Sequence, residues 1–268
     1  MKKKSLVTMT LGAAFLMAAF LPAQMEPAPY ITIHYDRIDP AQSAAFEQNN
    51  KDWVEAFSAA KAGADFHWRG YQSGFTYAWV SDLPSYAFLD GNDAREKMLN
   101  EKMGEGKLEA LEGGARGAII EHHNEIWKHE PDLTYQPEGF SPEGMGAVEV
   151  TTVDIKPSMN KEYRELVKEA IAALKKIEAP INFLGNSTPY GEGSYTYVSW
   201  GKDRASLHSA PGMGKLLAEA VGEEKAQEMF AHYMNCVSNV AERDWRVRDD
   251  ISYISDGEMM GEDKESME

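Results

Sequence analysis

From Phe66 to Tyr71 the residue types alternate, so that in an extended chain Phe66, Trp68 and Gly70 fall on one face and His67, Arg69 and Tyr71 on the other. The second set can do chemistry. A guanidinium holds a carboxylate or phenolate, an imidazole exchanges a proton near neutral pH, and a phenol orients a polar group. With His34 on the first predicted strand, these side chains would line a pocket for a small, partly apolar or acidic molecule, Arg69 acting as charge partner and a histidine as base. The same residues also fit a solvated strand edge or a structural hydrogen-bond network. The matching stretch later in the chain carries Asn182, Leu184 and Asn186, so the pocket would belong to one half only.

Glu121-His122-His123-Asn124-Glu125 lies between Ile119 and Ile126, and helical spacing turns His123 toward the apolar side of a predicted long helix. A buried imidazole there is a candidate ligand; a helix-surface pair with one partly buried histidine fits as well. His232 and Cys236 are four residues apart, but no second pair accompanies them and no metal site is expected. Trp127 and Trp245 are expected to anchor a helix to a sheet. Gly212-Met213-Gly214-Lys215 lacks the earlier glycine and the Ser or Thr of a phosphate loop, and no nucleophile elbow occurs.

These residues sit in a chain that is written twice. Arg37-Ile38-Asp39-Pro40 corresponds to Asp154-Ile155-Lys156-Pro157, Phe46 to Tyr163, Thr76-Tyr77 to Thr196-Tyr197, Trp127 to Trp245, and Asp132-Leu133-Thr134-Tyr135 to Asp250-Ile251-Ser252-Tyr253. Each half begins with a strand-like run, Tyr30 to Ile38 or Ala147 to Ile155, followed by a proline. Asp39 and Ser158 are the expected helix caps, with Pro40 in the first turn. Tyr163, Leu166, Val167, Ala170, Ile171 and Leu174 mark one helical face, and Ala226 to Ala241 another. A hairpin, a long helical region and a last short strand, Leu133 to Tyr135 or Ile251 to Ile254, complete each half.

The order β-α-β-β-α-β, twice, predicts an α+β chain of two ferredoxin-like units packed sheet to sheet as an intrachain pseudo-dimeric barrel. It resembles the dimeric α/β barrel superfamily, which includes antibiotic-biosynthesis-type monooxygenases, NIPSNAP-like proteins and stress-responsive barrel proteins. The resemblance runs from Tyr30 to Ile254 and rests on element order and repetition. It implies a fold, and, because some members bind or degrade haem, it makes haem a possible cofactor, although no cofactor is expected from the residues themselves.

Three lysines, the apolar run Leu11 to Leu21 and Leu21-Pro22-Ala23 read as a signal peptide over residues 1–23, giving an exported protein with no membrane span once it is removed. The first repeat would occupy residues 24–136, a Pro/Gly-rich linker 137–145, the second repeat 146–255, and a disordered acidic tail 256–268. Without the signal, 24 basic side chains face 43 acidic ones, which excludes nucleic acid as a partner. The single thiol, Cys236, forms no internal disulfide, so packing must hold the fold. The expected function is binding of a small molecule; the alternatives are a cofactor-independent or haem-using monooxygenase-like enzyme, with His67 or His34 as base, and a structural or interaction protein.

Overall fold

The computed structural model describes residues 28–190 and 194–255. The predicted signal peptide and acidic tail lie outside them. The first half runs β1 (Tyr30–Ile38), α1 (Ser43–Ala60), β2 (Trp68–Ser73), β3 (Thr76–Leu83), α2 (Asn92–Met103), α3 (Lys107–Gly114) and β4 (Ile119–His129). The second runs β5 (Ala147–Ile155), α4 (Asn160–Lys176), β6 (Leu184–Ser187), β7 (Ser194–Gly201), α5 (Arg204–Ser209), α6 (Met213–Val221), α7 (Glu223–Cys236) and β8 (Val237–Tyr253). No described helix is long and apolar enough to cross a membrane.

All eight strands are antiparallel and form one closed barrel in the order β1-β3-β2-β8-β5-β7-β6-β4. Each half therefore contributes strands in the order 4-1-3-2. The two arrays do not lie as separate sheets back to back: β2 pairs with β8 and β4 with β6, so every edge finds a partner in the other half. The barrel is filled. Ile33, Ala78, Trp127, Val148, Val198 and Trp245 are buried inside it, with Tyr35, Tyr71 and Trp200 packed against them. The helices cover the outer face, where Phe46 of α1 meets Tyr77 and Tyr163 of α4 meets Tyr195, each ring pair 5.1 Å apart.

Ladder registers repeat between the halves. Ile31 lies opposite Trp127 as Val148 lies opposite Trp245, and Asp36 opposite His122 as Val153 opposite Val240. The two tryptophans thus point into the barrel from the last strands and do not tie helix to sheet. The structural counterpart of Tyr77 is Tyr195, not Tyr197. A two-residue slip keeps every side chain on its own face, so a pattern of alternating residues cannot fix the register.

The local signals held unevenly. Asp39 Oδ1 accepts the Ala41 N–H at 2.9 Å with Pro40 in the first turn, as expected, but that turn is 3₁₀ and leads into α1. Ser158 has φ of 71° and caps nothing; α4 starts two residues later. The Glu121–Glu125 segment is β-strand, not helix: α3 stops at Gly114, Gly117 turns the chain at φ 88°, and the open edge of β1 supplies a ladder to the residues that follow. In the second half the helical stripe ends at Cys236, where β8 takes over Val237, Val240 and Ala241. Residues 131–133 form a 3₁₀ turn, and Tyr135 makes one isolated bridge to Phe183.

Candidate functional site

The structure separates the five candidate residues into three places. β3 lies between β1 and β2, so His34 and the β2 residues are not on neighbouring strands. Tyr71 faces the barrel interior, where burial raises its phenol above the ordinary value, and Arg69 and Trp200 are beside its hydroxyl. His67 precedes β2 and is tied to β3, its Nε2 3.2 Å from Asp82 Oδ2. These two arginine and histidine side chains stand at the start of β2. His123 lies opposite Tyr35 of β1, three strands from β2; through β3, Arg69 is level with Ile33, two residues before Tyr35.

Around His123 the strand alternation of β4 builds a polar mouth from inward-facing residues. The His123 ring stacks on Tyr35 at 4.5 Å and 18°, and its Nε2 is 3.5 Å from Glu125 Oε1. Glu125 also accepts the Trp127 indole N–H at 2.7 Å. Across the mouth, the Arg243 guanidinium lies 4.4 Å over the Trp245 ring. Burial, then Glu125, push the Tyr35 phenol well above its usual value, and Arg243 opposes them. Burial lowers Arg243. Among the described residues the Tyr35 hydroxyl makes no side-chain hydrogen bond and the Arg243 guanidinium no salt bridge, while His123, with 60% of its side chain exposed, leaves the mouth open to water.

On the outer face of the same β1–β4 ladder a second polar group gathers. His34 Nε2 lies 3.2 Å from Asp36 Oδ2 and His122 Nδ1 2.9 Å from Asp36 Oδ1. Asn124 bridges the two rings from the far side, its Oδ1 3.0 Å from His34 Nδ1 and its Nδ2 3.3 Å from His122 Nε2. Burial acts to raise the Asp36 carboxyl, but the hydrogen bonds from His34 and His122 outweigh it and hold the group below its ordinary value. Of this group sequence reasoning selected His34 alone. Read with period 2, Glu121 to Ile126 places His122 and Asn124 on one face and His123 and Glu125 on the other, the signal that a helical reading obscured.

His123, the histidine the sequence offers as a haem or metal ligand, is stacked on Tyr35 with Nε2 turned to Glu125, and aromatic side chains fill the barrel below. Cys236 is buried and its thiol is pushed up by that burial, while His232 is exposed, so the pair makes no ligand set. A groove of about 670 Å³ at α2 and α3, lined by Glu96, Lys97, Glu101 and Glu105, contains none of the five candidates.

No protein-family model matches the chain, and no curated protein matches it. Solved structures do. A provisionally assigned monooxygenase of Fusobacterium nucleatum superposes with a TM-score of 0.53 at 10% identity, over 88% of this chain and 98% of that one. Another from Lactobacillus acidophilus gives 0.51 at 8% identity, over 87% and 98%. An anthrone oxidase-like protein gives 0.52 at 11% identity, over 83% and 92%. The chain has the dimeric α/β barrel fold of these proteins.

Proposed function

We propose that this chain is an exported binding protein for a small anionic molecule with an aromatic or otherwise apolar body, seated at the barrel mouth between Tyr35, His123, Arg243 and Trp245. One observation carries the reading: in a chain rich in acids, Arg243 lies over an indole and beside a half-buried phenol with no carboxylate partner among the described residues. A guest carboxylate or phenolate would supply that partner. The fold likeness, at about one residue in ten identical, bears on architecture and not on reaction. The matching ladder registers support a further reading, that two copies of one βαββαβ unit were fused end to end and that only one kept these polar residues.

A panel of aromatic carboxylates and phenols, each beside its neutral analogue, tests the site by thermal shift and by tryptophan emission. A ligand at one hundred times its Kd should add about 2.7 kcal/mol of stability. The anionic member should raise the melting temperature of the wild type and leave Arg243→Gln unchanged. If no panel member acts, or if Arg243→Gln responds as the wild type does, the mouth is not the site.

A second reading is enzymatic and rests on the His123–Glu125 contact. Glu125 would orient the imidazole and stabilise it once it had taken a proton from a bound phenol or activated C–H. His123→Gln would then abolish turnover while preserving the ligand-induced shift; loss of the shift alone would leave the binding reading in place.

A further inference from the structure

We infer that His34, Asp36 and His122 form a binding site for one divalent transition-metal ion on the outer face of the β1–β4 ladder, apart from the barrel mouth. One ligand atom from each of His34, Asp36 and His122 lies within 4.8 Å of the others, and the two ring centroids are 4.4 Å apart. An ion bound at about 2.0–2.2 Å to each ligand brings such atoms to a little over 3 Å from one another, close to the 2.9 and 3.2 Å that already separate each ring nitrogen from the carboxylate. The ion would take the place of the protons now shared along those two contacts.

The carboxylate is the fixed member, with 5% of its side chain exposed, while the histidines, at 44% and 46%, are open to an incoming ion and to its remaining water ligands. Asn124 supplies the outer support. Its Oδ1 accepts the His34 Nδ1–H, the tautomer that leaves Nε2 for a metal, so Asn124 supports His34 alone; once His122 Nδ1 ligates, the Nε2–H of that half-exposed ring must turn from the Asn124 amide nitrogen to water. Two imidazoles and one carboxylate suit zinc, cobalt or nickel rather than calcium or magnesium.

The fold does not demand this group. At the same ladder positions in the second half, Val153 faces Val240 where Asp36 faces His122, and Thr151 faces Glu242 where His34 faces Asn124. A second cluster, Glu149, His208 and Asp244, differs in kind: the Arg204 guanidinium already lies 2.5 Å from Asp244 and supplies its positive charge.

The test is titration of the chelator-treated full chain with Co²⁺, read by its visible d–d absorption, and with Zn²⁺, read by calorimetry. One ion per chain is expected, with His122→Ala and His34→Ala each weakening uptake by at least about ten-fold, a loss that changes beyond the ligand shell can already produce. His208→Ala should bind as the wild type does. Both variants remove half-exposed rings, and circular dichroism checks that they fold; Asp36→Asn gives a further ligand variant. No uptake by the wild type, or uptake that His122→Ala leaves unchanged, overturns the assignment. Loss in His208→Ala alone moves the ion to the second cluster and also overturns it. Arg243→Gln should not affect the metal titration, so failure here and failure of the mouth are separable.

Discussion

Arg248 is buried where β8 meets β2, and it ties the two halves together through a single guanidinium. It donates to Glu47 of α1 at 2.9 and 3.0 Å, to Asp250 of β8 at 2.7 and 2.9 Å, and to Gln72 of β2 at 2.6 Å. Its hydrogen bonds pull the Asp250 carboxyl down to about 2 and lower Glu47 as well. Removing one partner of a fully buried pair costs about 3–5 kcal/mol, but Glu47 and Asp250 keep 29% and 44% of their side chains exposed and can be rehydrated. Arg248→Met should therefore cost about 2 kcal/mol in urea unfolding at pH 7. Both carboxyls are lower in the folded state, so their stabilisation is present above an ordinary carboxylate value of about 4 and fades as pH falls toward 2. The gap between wild type and variant should close over that window; a constant gap would assign the loss to packing. At this scale the sequence showed which groups could act, but Asp36, Tyr35 and Arg243 were not singled out, because each also needs a partner from a distant strand: His122 for Asp36, and Tyr35 and Arg243 for one another.

The elements meet at two glycines whose surroundings match. Gly70 N–H donates to Ser252 Oγ at 2.8 Å and Gly185 N–H to Thr134 Oγ1 at 3.0 Å, each bond joining one half to the end of the other. A methyl group at Gly185 would sit 2.3 Å from the Leu133 carbonyl oxygen, whereas at Gly70 the closest atom, at 2.8 Å, is a side-chain carbon of Ile251. Backbone cannot yield as a side chain can. Gly185→Ala should thus cost about 3 kcal/mol and Gly70→Ala about 1 kcal/mol, the two ends of the usual range for overpacking, as measured by chemical denaturation. Equal costs would show that Leu133 relaxes freely. The strands β1, β5, β3 and β7 were legible because β-branched and aromatic residues dominate them, and α4 because its apolar face is continuous. β4 was not, since two histidines, an asparagine and two glutamates carry no strand preference. Only the unpaired edge of β1 decides their conformation.

For the whole molecule, closure is the decisive event. A half-chain of residues 24–145 would leave β2 and β4 without the partners β8 and β6, and would expose Tyr35, Tyr71 and Trp127. It should associate as a homodimer that restores both seams, as read by sedimentation equilibrium; a folded monomer would contradict the shared-barrel account. The sequence by itself determined the opening strand, helix and hairpin of each half and the excess of acids, because these depend on local periodicity and on charge. Only the tertiary structure decided that the edges of the two halves join into one barrel, that its interior is filled, and that His34 and His123 lie on opposite faces of one ladder. Those outcomes depend on strand pairing between residues distant in the chain, and a pattern of period 2 leaves both the partner and the register open.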